Sequence, residues 1–340
     1  MRLPACWWKQ SCLLSDLLLQ VESLTKAFRR QGAKGAGVRA VAGVSLTLRR
    51  GETLGLVGES GCGKSTLSRL ILSLLDPDAG MVSIDGIDFI NSSGRTKREM
   101  RRRIQIVFQD ALSSLNPRMT VGTNIAEPMR LQGLGTAASR RAEAQRLLGV
   151  VGLRPEHEDR YPHEFSGGQC QRIAIARALI LKPEIIVFDE AVSALDVSIR
   201  AQILRLILDL QAMFGLSYVF VSHDLGVIKR ICDRVAVMYM GQIVEIGPTD
   251  VVCREPRHPY TAALLSAIPI ADPRRMRVAD LGQIEGDTVG EAKPGSCAFE
   301  PRCPRRFEPC DKAVPALIDV APDHSAACYL NSPGILRGTL

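Results

Sequence analysis

At 340 residues, with 46% hydrophobic and 23% charged side chains, the chain has the make-up of a folded protein with a substantial core, and not of a disordered or fibrous one. A net charge of +7 admits anionic partners such as nucleotide, nucleic acid or lipid headgroups and selects none of them. The uninterrupted run of about 18 apolar residues that a membrane span needs is absent. The greasiest region, Leu204 to Val221, is broken by Arg205, Asp209 and Gln211 and reads as a helix followed by a strand.

Residues 1–18 form a leader of unassigned role that carries both tryptophans, Trp7 and Trp8. Asp16 interrupts its apolar part and no small-residue cleavage site follows, so a secretory signal is not expected. LQVESLTKAF and VSLTLRRGETLGLVG, either side of the Gly-rich QGAKGAG, read as antiparallel strands around a flexible turn. GMVSIDGIDFI adds a hairpin with Asp85-Gly86 at its turn. The densest basic run, GRTKREMRRR at 94–103, reads as a solvated helix face, with a contact to lipid headgroups or another protein as the alternative. Residues 118–183 read as mainly helical, and 184–224 as two buried strands flanking a helix. Beyond His258 the chain turns rich in Pro, Arg and Cys, which marks an appended module.

GESGCGKST, residues 58–66, fits GxxxxGK[ST] between the strand TLGLVG and the helix TLSRLILSLL. Glycines are needed there because backbone amides must close on phosphate oxygens, helped by the positive end of the helix. Gly58, Glu59, Ser60, Gly61, Cys62, Gly63, Lys64, Ser65 and Thr66 are therefore the expected phosphate cradle. Lys64 pairs with the β and γ phosphates, and the Ser65 hydroxyl faces Mg²⁺. Cys62 reads as a tolerated small residue, although amides at a helix start could lower its pKa.

Ile185 to Phe188 form a buried strand that ends on two carboxylates, Asp189 and Glu190. Neighbouring side chains on a strand point to opposite faces, so the pair can serve two targets. Asp189 is expected in the Mg²⁺ shell and Glu190 as the group that orients or deprotonates the attacking water. His223, after the buried strand SYVFV, is a candidate donor to the γ phosphate.

FSGGQCQR at 165–172, Gln109 after IQIVF, SALD after the acid pair and the downstream VSHD occur together in an order that closely resembles ABC ATPases. The resemblance covers residues 19–250 or so. It implies an α/β P-loop NTPase fold of the ABC type with an antiparallel β subdomain and a helical subdomain at about 110–175. It also implies two cassettes that sandwich ATP head to tail, with Ser166, Gly167, Gly168 and Gln169 of one facing the phosphates held by the other. By position, Phe28 stacks on adenine, Gln109 senses Mg²⁺ and the transmembrane partner, and Asp196 signals across the pair. SGGQ opens a helix, so bare amides are expected for the anion.

More narrowly, SGGQCQRIAIARALILKPEIIVFDEAVSALD, FQDALSSLNPRMTVG and HPYTAALL resemble the ATP-binding subunits of oligopeptide and dipeptide importers, the second of the two paired ATPases in particular. Cys170 stands where relatives commonly carry arginine. The resemblance implies a different ATPase chain as partner, with a homodimer as the alternative. It also implies two permease subunits, an extracellular or periplasmic binding protein, and a peripheral position on the cytoplasmic face of the plasma membrane. Two other readings are a soluble ABC ATPase acting on nucleic acid or ribosomes, and a metal-sensing regulatory subunit. The first lacks the inserted coiled coil or second cassette it would need, so nucleic acid is not an expected partner.

The module at 251–340 gathers Cys297, Cys303, Cys310 and Cys328 in a Pro-rich stretch too short for an apolar core of its own. Four thiolates suit zinc or an iron-sulfur cluster, and unmetallated thiols remain open. The resemblance to peptide-importer ATPases favours a 4Fe-4S cluster over zinc.

Overall fold

The structure, a computed structural model, describes residues 16–28, 37–267, 293 and 295–332. Most of the leader, nearly all of the Gly-rich turn and, in the appended module, residues 268–292, 294 and 333–340 lie outside the described residues.

Strands β1 (Leu17–Phe28) and β2 (Val38–Arg49) are followed by β3 (Thr53–Val57), buried along its whole length, and by helix α1 (Lys64–Ile71). β4 (Ala79–Ile84) and β5 (Ile87–Asp88) pair antiparallel around Asp85 and Gly86, whose φ values of 50° and 72° give the turn that twisted hairpin strands favour. The basic run forms α2 (Gly94–Arg103), and β6 (Ile104–Val107) follows without a loop. Next come α3 (Ala111–Ser114), α4 (Val121–Leu131) and α5 (Ala137–Val150), started by the caps Asp110, Thr120 and Thr136, each of which accepts a backbone N–H from the residue three positions on. α6 (Gly167–Leu179) leads to β7 (Ile185–Asp189), and α7 (Val197–Phe214) stops at Gly215 in the left-handed conformation before β8 (Ser217–Ser222). The chain continues through α8 (Leu225–Ile231), β9 (Arg234–Tyr239), β10 (Gln242–Pro248), α9 (Thr249–Arg254) and α10 (Pro259–Ser266). A short hairpin, β11 (Ile318–Ala321) and β12 (His324–Ala326), lies near the end of the described chain.

These residues divide into two compact units. The first holds residues 45–53, 68–221 and the described residues through Leu24. In it β6, β7 and β8 run parallel, Val107 opposite Phe188 and Phe188 opposite Phe220. Every residue of β7 and β8 is buried, as a sheet covered on both faces requires. Phe188 meets Tyr218 edge to face at 5.1 Å, and the Tyr218 hydroxyl donates to the Ile207 carbonyl at 3.0 Å. α6 packs against α3, α4 and α5 to make the helical part foreseen in the sequence. Ahead of β7, Glu184 accepts from Arg50 at 2.8 Å and from Arg103 at 2.9 Å, and Asp85 bonds to the same two guanidinium groups. The small sheet has the order β2-β1-β4-β5.

The second unit holds residues 25–44, 54–67 and 222 onward, so far as these are described. Its strands run in the order β11-β12-β10-β9-β3, β3 parallel to β9 and the remaining pairs antiparallel. The appended module therefore supplies two strands of a sheet, which its composition did not suggest. Glu245 of β10, completely buried, ties these parts together: its carboxylate accepts the N–H of Arg257 at 2.7 Å and of His258 at 3.0 Å, and bonds to His324 Nε2 at 2.8 Å. Phe299 is also buried, its ring 5.3 Å from that of Tyr239 and 5.5 Å from that of Tyr260.

Candidate functional site

In the second unit the loop between β3 and α1 is drawn so tightly that two of its glycines leave no room for a side chain. A Cβ on Gly63, at φ 109°, would lie 2.0 Å from the Ala40 carbonyl oxygen, and one on Gly58 would lie 2.2 Å from that of Met238. Lys64 is 4% exposed, and its Nζ donates to the carbonyls of Gly58 at 2.8 Å and Glu59 at 2.9 Å. Both acceptors are main-chain carbonyls of the loop itself, so the loop's own backbone positions the ammonium. Ser60 and Gly61 are exposed at the loop tip, and Ser65 and Thr66 are half-buried in the first turn of α1. Burial pushes the Cys62 thiol up, against the depression that helix amides alone would give. Phe28, 44% exposed, ends β1, and exposed His223 precedes Asp224, the cap of α8.

The first unit holds the other site candidates. Asp189 ends β7 and is buried. Glu190 has left the strand: its φ is 50°, its N–H donates to Val221 at 3.1 Å, and its own carbonyl accepts from the amide and hydroxyl of Ser193. A non-glycine residue in the left-handed region costs free energy that surrounding bonds must supply, and such residues collect at functional sites. The backbone therefore turns between the two carboxylates, so that Glu190 is not the next residue of the strand. Gln109 is exposed just beyond β6, the strand beside β7.

Ser166 caps α6, as SGGQ predicts, but not with all its amides bare. Ser166 Oγ accepts the N–H of Gln169 at 3.4 Å, and the Gln169 side chain accepts that of Ser166 at 3.0 Å. Gly168 also has a packing reason to lack a side chain, since a Cβ there would lie 2.5 Å from Ile199. Asp196 caps α7 and is exposed, with no side-chain bond to the helix amides. Cys170 is buried with its thiol 3.5 Å from the Pro162 carbonyl, so the departure from arginine is accommodated inside the helical part.

Cys297, Cys303, Cys310 and Cys328 line one pocket together with Phe299, Phe307 and Tyr329. Burial pushes the Cys303 thiol up to about 11 and that of Cys328 up to about 12, so both are protonated at neutral pH in this arrangement. Among the described residues no group of three or more His, Cys, Asp or Glu is arranged to hold a metal ion. The four thiols thus share one pocket, without being drawn into a metal-binding group.

Sequence reasoning missed three residues that organise the second unit. Tyr260 Oη accepts the N–H of Glu59 at 2.9 Å, Arg302 forks onto the Glu59 carboxylate, and Glu245 anchors the appended strands. HPY at 258–260 was the one available signal.

Residues 41–193 match the family model described as ABC transporter, and residues 244–310 the one described as oligopeptide/dipeptide transporter, C-terminal region. A probable peptide ABC transporter ATP-binding protein of Sinorhizobium fredii is 48% identical over 94% of this chain and 92% of its own length. The chain belongs to the ATP-binding proteins of ABC peptide transporters. The dipeptide transport ATP-binding protein DppF of Escherichia coli is 47% identical over 94% of the chain and 96% of its own length. Among solved structures, the ATP-binding cassette MJ0796 in a dimeric post-hydrolysis state bound to ADP and Pi is 30% identical, with a TM-score of 0.61 over 68% of this chain and 99% of that one. As a member of this family the chain is an ATPase subunit that powers a peptide importer, using ATP and Mg²⁺. Among the described residues no helix is long and apolar enough to cross a membrane.

Proposed function

We propose that the chain pairs with a second, different ABC ATPase, that the two close on ATP and reopen on hydrolysis, and that this drives two permease subunits served by an extracytoplasmic binding protein. The site of action is the cytoplasmic face of the plasma membrane. The observation that carries this reading is Lys64 Nζ held on the carbonyls of Gly58 and Glu59, in a loop whose Gly58 and Gly63 leave no room for a side chain. A phosphate replaces those carbonyls with a full counter-charge.

In this reading the amides of the loop from Gly58 to Thr66, Ser60, Gly61, Cys62 and Gly63 included, receive the phosphates, and Lys64 moves onto the β and γ groups. Ser65, Asp189 and Gln109 hold Mg²⁺, which when bound neutralises phosphate charge. Glu190 orients and deprotonates the attacking water, and His223 donates to the γ phosphate. Phe28 stacks on adenine. Ser166, Gly167, Gly168 and Gln169 serve the nucleotide held by the partner cassette, and Asp196 relays its state. Replacing Glu190 with Gln in the assembled transporter should leave ATP retention intact while slowing hydrolysis about 100-fold or more. Unchanged turnover would remove Glu190 from the role.

For the C-terminal region we propose that the four cysteines staple a segment with little core of its own, a 4Fe-4S cluster being the group that four thiolates suit. Their shared pocket supports a common purpose, and their present spacing requires the side chains to draw together. Iron and sulfide analysis of anaerobically prepared protein checks it: absence of both leaves bare thiols.

A further inference from the structure

Glu59, the second residue of the phosphate loop, is held at three points inside the second unit. Its N–H donates to the Tyr260 hydroxyl at 2.9 Å. Its carbonyl accepts from Lys64 Nζ at 2.9 Å. Its carboxylate accepts both arms of Arg302, Nη1 at 2.8 Å and Nη2 at 3.0 Å. Two of these three partners come from the C-terminal region, far along the chain from the loop.

Both partners are themselves fixed. Tyr260 is fully buried, with Tyr239 and Phe299 against its ring at 4.6 and 5.5 Å. Its own N–H donates to Nδ1 of His258, whose pKa burial holds down at about 4, so the ring stays a neutral acceptor at physiological pH. The Arg302 side chain is only 14% exposed, and its guanidinium lies 5.8 Å from the centre of the Tyr239 ring. Arg302 closes a short turn, Glu300–Arg302, between Cys297 and Cys303.

We propose that Tyr260 and Arg302 are positioning residues for nucleotide binding: the C-terminal region holds the phosphate loop open through Glu59 and thereby sets where Lys64 waits. Lys64 must exchange the Glu59 carbonyl for a phosphate. Fixing that carbonyl keeps the loop in the shape that receives ATP and removes an ordering cost from binding. Arginine suits this role because a planar fork fixes direction as well as charge, which lysine does not. The inference rests on the reading of residues 58–66 as the phosphate site.

The test uses the complete transporter with Tyr260→Phe, Arg302→Lys, Arg302→Met, Glu59→Gln and the double variant Glu59→Gln/Arg302→Met, measuring ATP KM, kcat and thermal stability. Because Glu59 is partly solvated, Arg302→Met should raise KM by about 3- to 10-fold. Tyr260→Phe should raise KM in the same direction, with kcat within about twofold in both, because the lost contact acts before chemistry. Arg302→Lys should recover part of the loss. The double variant should be no worse than the more severe single one, since both remove the same bond. Unchanged KM in Tyr260→Phe and Arg302→Met alike, or additive losses in the double variant, would overturn the proposal. Lys64→Ala separates the two layers: if it leaves ATP binding intact, the phosphate-site reading fails. If it abolishes binding while the Tyr260 and Arg302 variants leave KM unmoved, only the positioning role fails.

Discussion

Single residues in this chain are constrained most where backbone meets backbone. Gly63 has the carbonyl of Ala40 where a Cβ would go, and that neighbour is main chain, which cannot swing aside. Gly63→Ala is therefore expected to distort the phosphate loop and weaken ATP retention, measured by equilibrium dialysis, more than Gly61→Ala, where a Cβ would meet open space. Both glycines have positive φ, so both replacements are strained, and the clash with main chain is peculiar to Gly63. Glu190 presents the reverse case: a charged residue occupies a left-handed position where glycine would be unstrained. Glu190→Gly should relieve that cost and raise the melting temperature slightly even as it removes the carboxylate, a separation of stability from function that Glu190→Gln does not give.

At the scale of elements, two buried or half-buried charge clusters hold segments together by different physics. Glu184 precedes β7 and receives both Arg103, at the end of α2, and Arg50. Its hydrogen bond to Arg103 first, and that to Arg50 next, hold the carboxyl below its ordinary value. A folded-state pKa that is depressed means the native protein binds fewer protons, so the stabilisation is present above the ordinary carboxylate pKa of 4.5 and is lost as pH falls below it. Glu184→Gln should thus cost about 0.5–1 kcal/mol at neutral pH, less in high salt, and its denaturation curve should converge on that of the parent in acid. Glu245 is wholly buried and satisfies two backbone amides and a histidine, so Glu245→Ala is expected to cost about 2–4 kcal/mol in urea denaturation. Elements with strong periodicity or a chemical signature were legible in the sequence: β3 and its loop, the Asp85-Gly86 hairpin, β7 with its carboxylates, α7 and β8. Legibility failed where partners were distant. Nothing near Glu59 announces Tyr260 or Arg302, and β11 and β12 are too short and polar to show a period of two. The Ser166–Gln169 capping box was visible as letters, but read as bare amides rather than as a cap.

For the whole molecule, function depends on other chains. As an ATPase subunit of a peptide importer, the chain is expected to reach the membrane through the permease. Expressed alone the chain should remain in the supernatant after membranes are pelleted, and coexpressed permease subunits should carry it into the pellet. The two-unit organisation is also discontinuous in sequence, so that residues far apart in synthesis complete one sheet. Strand β10 has β9 on one side and β12 on the other, and β12 begins only at His324. A nascent chain released near residue 310 would already own β9 and β10 but would present the outer ladder of β10 to solvent, a bare template on which another strand can add. Premature termination in this gene is therefore expected to yield aggregates rather than a smaller working subunit, and quality control has to shield that rim until translation passes Ala326.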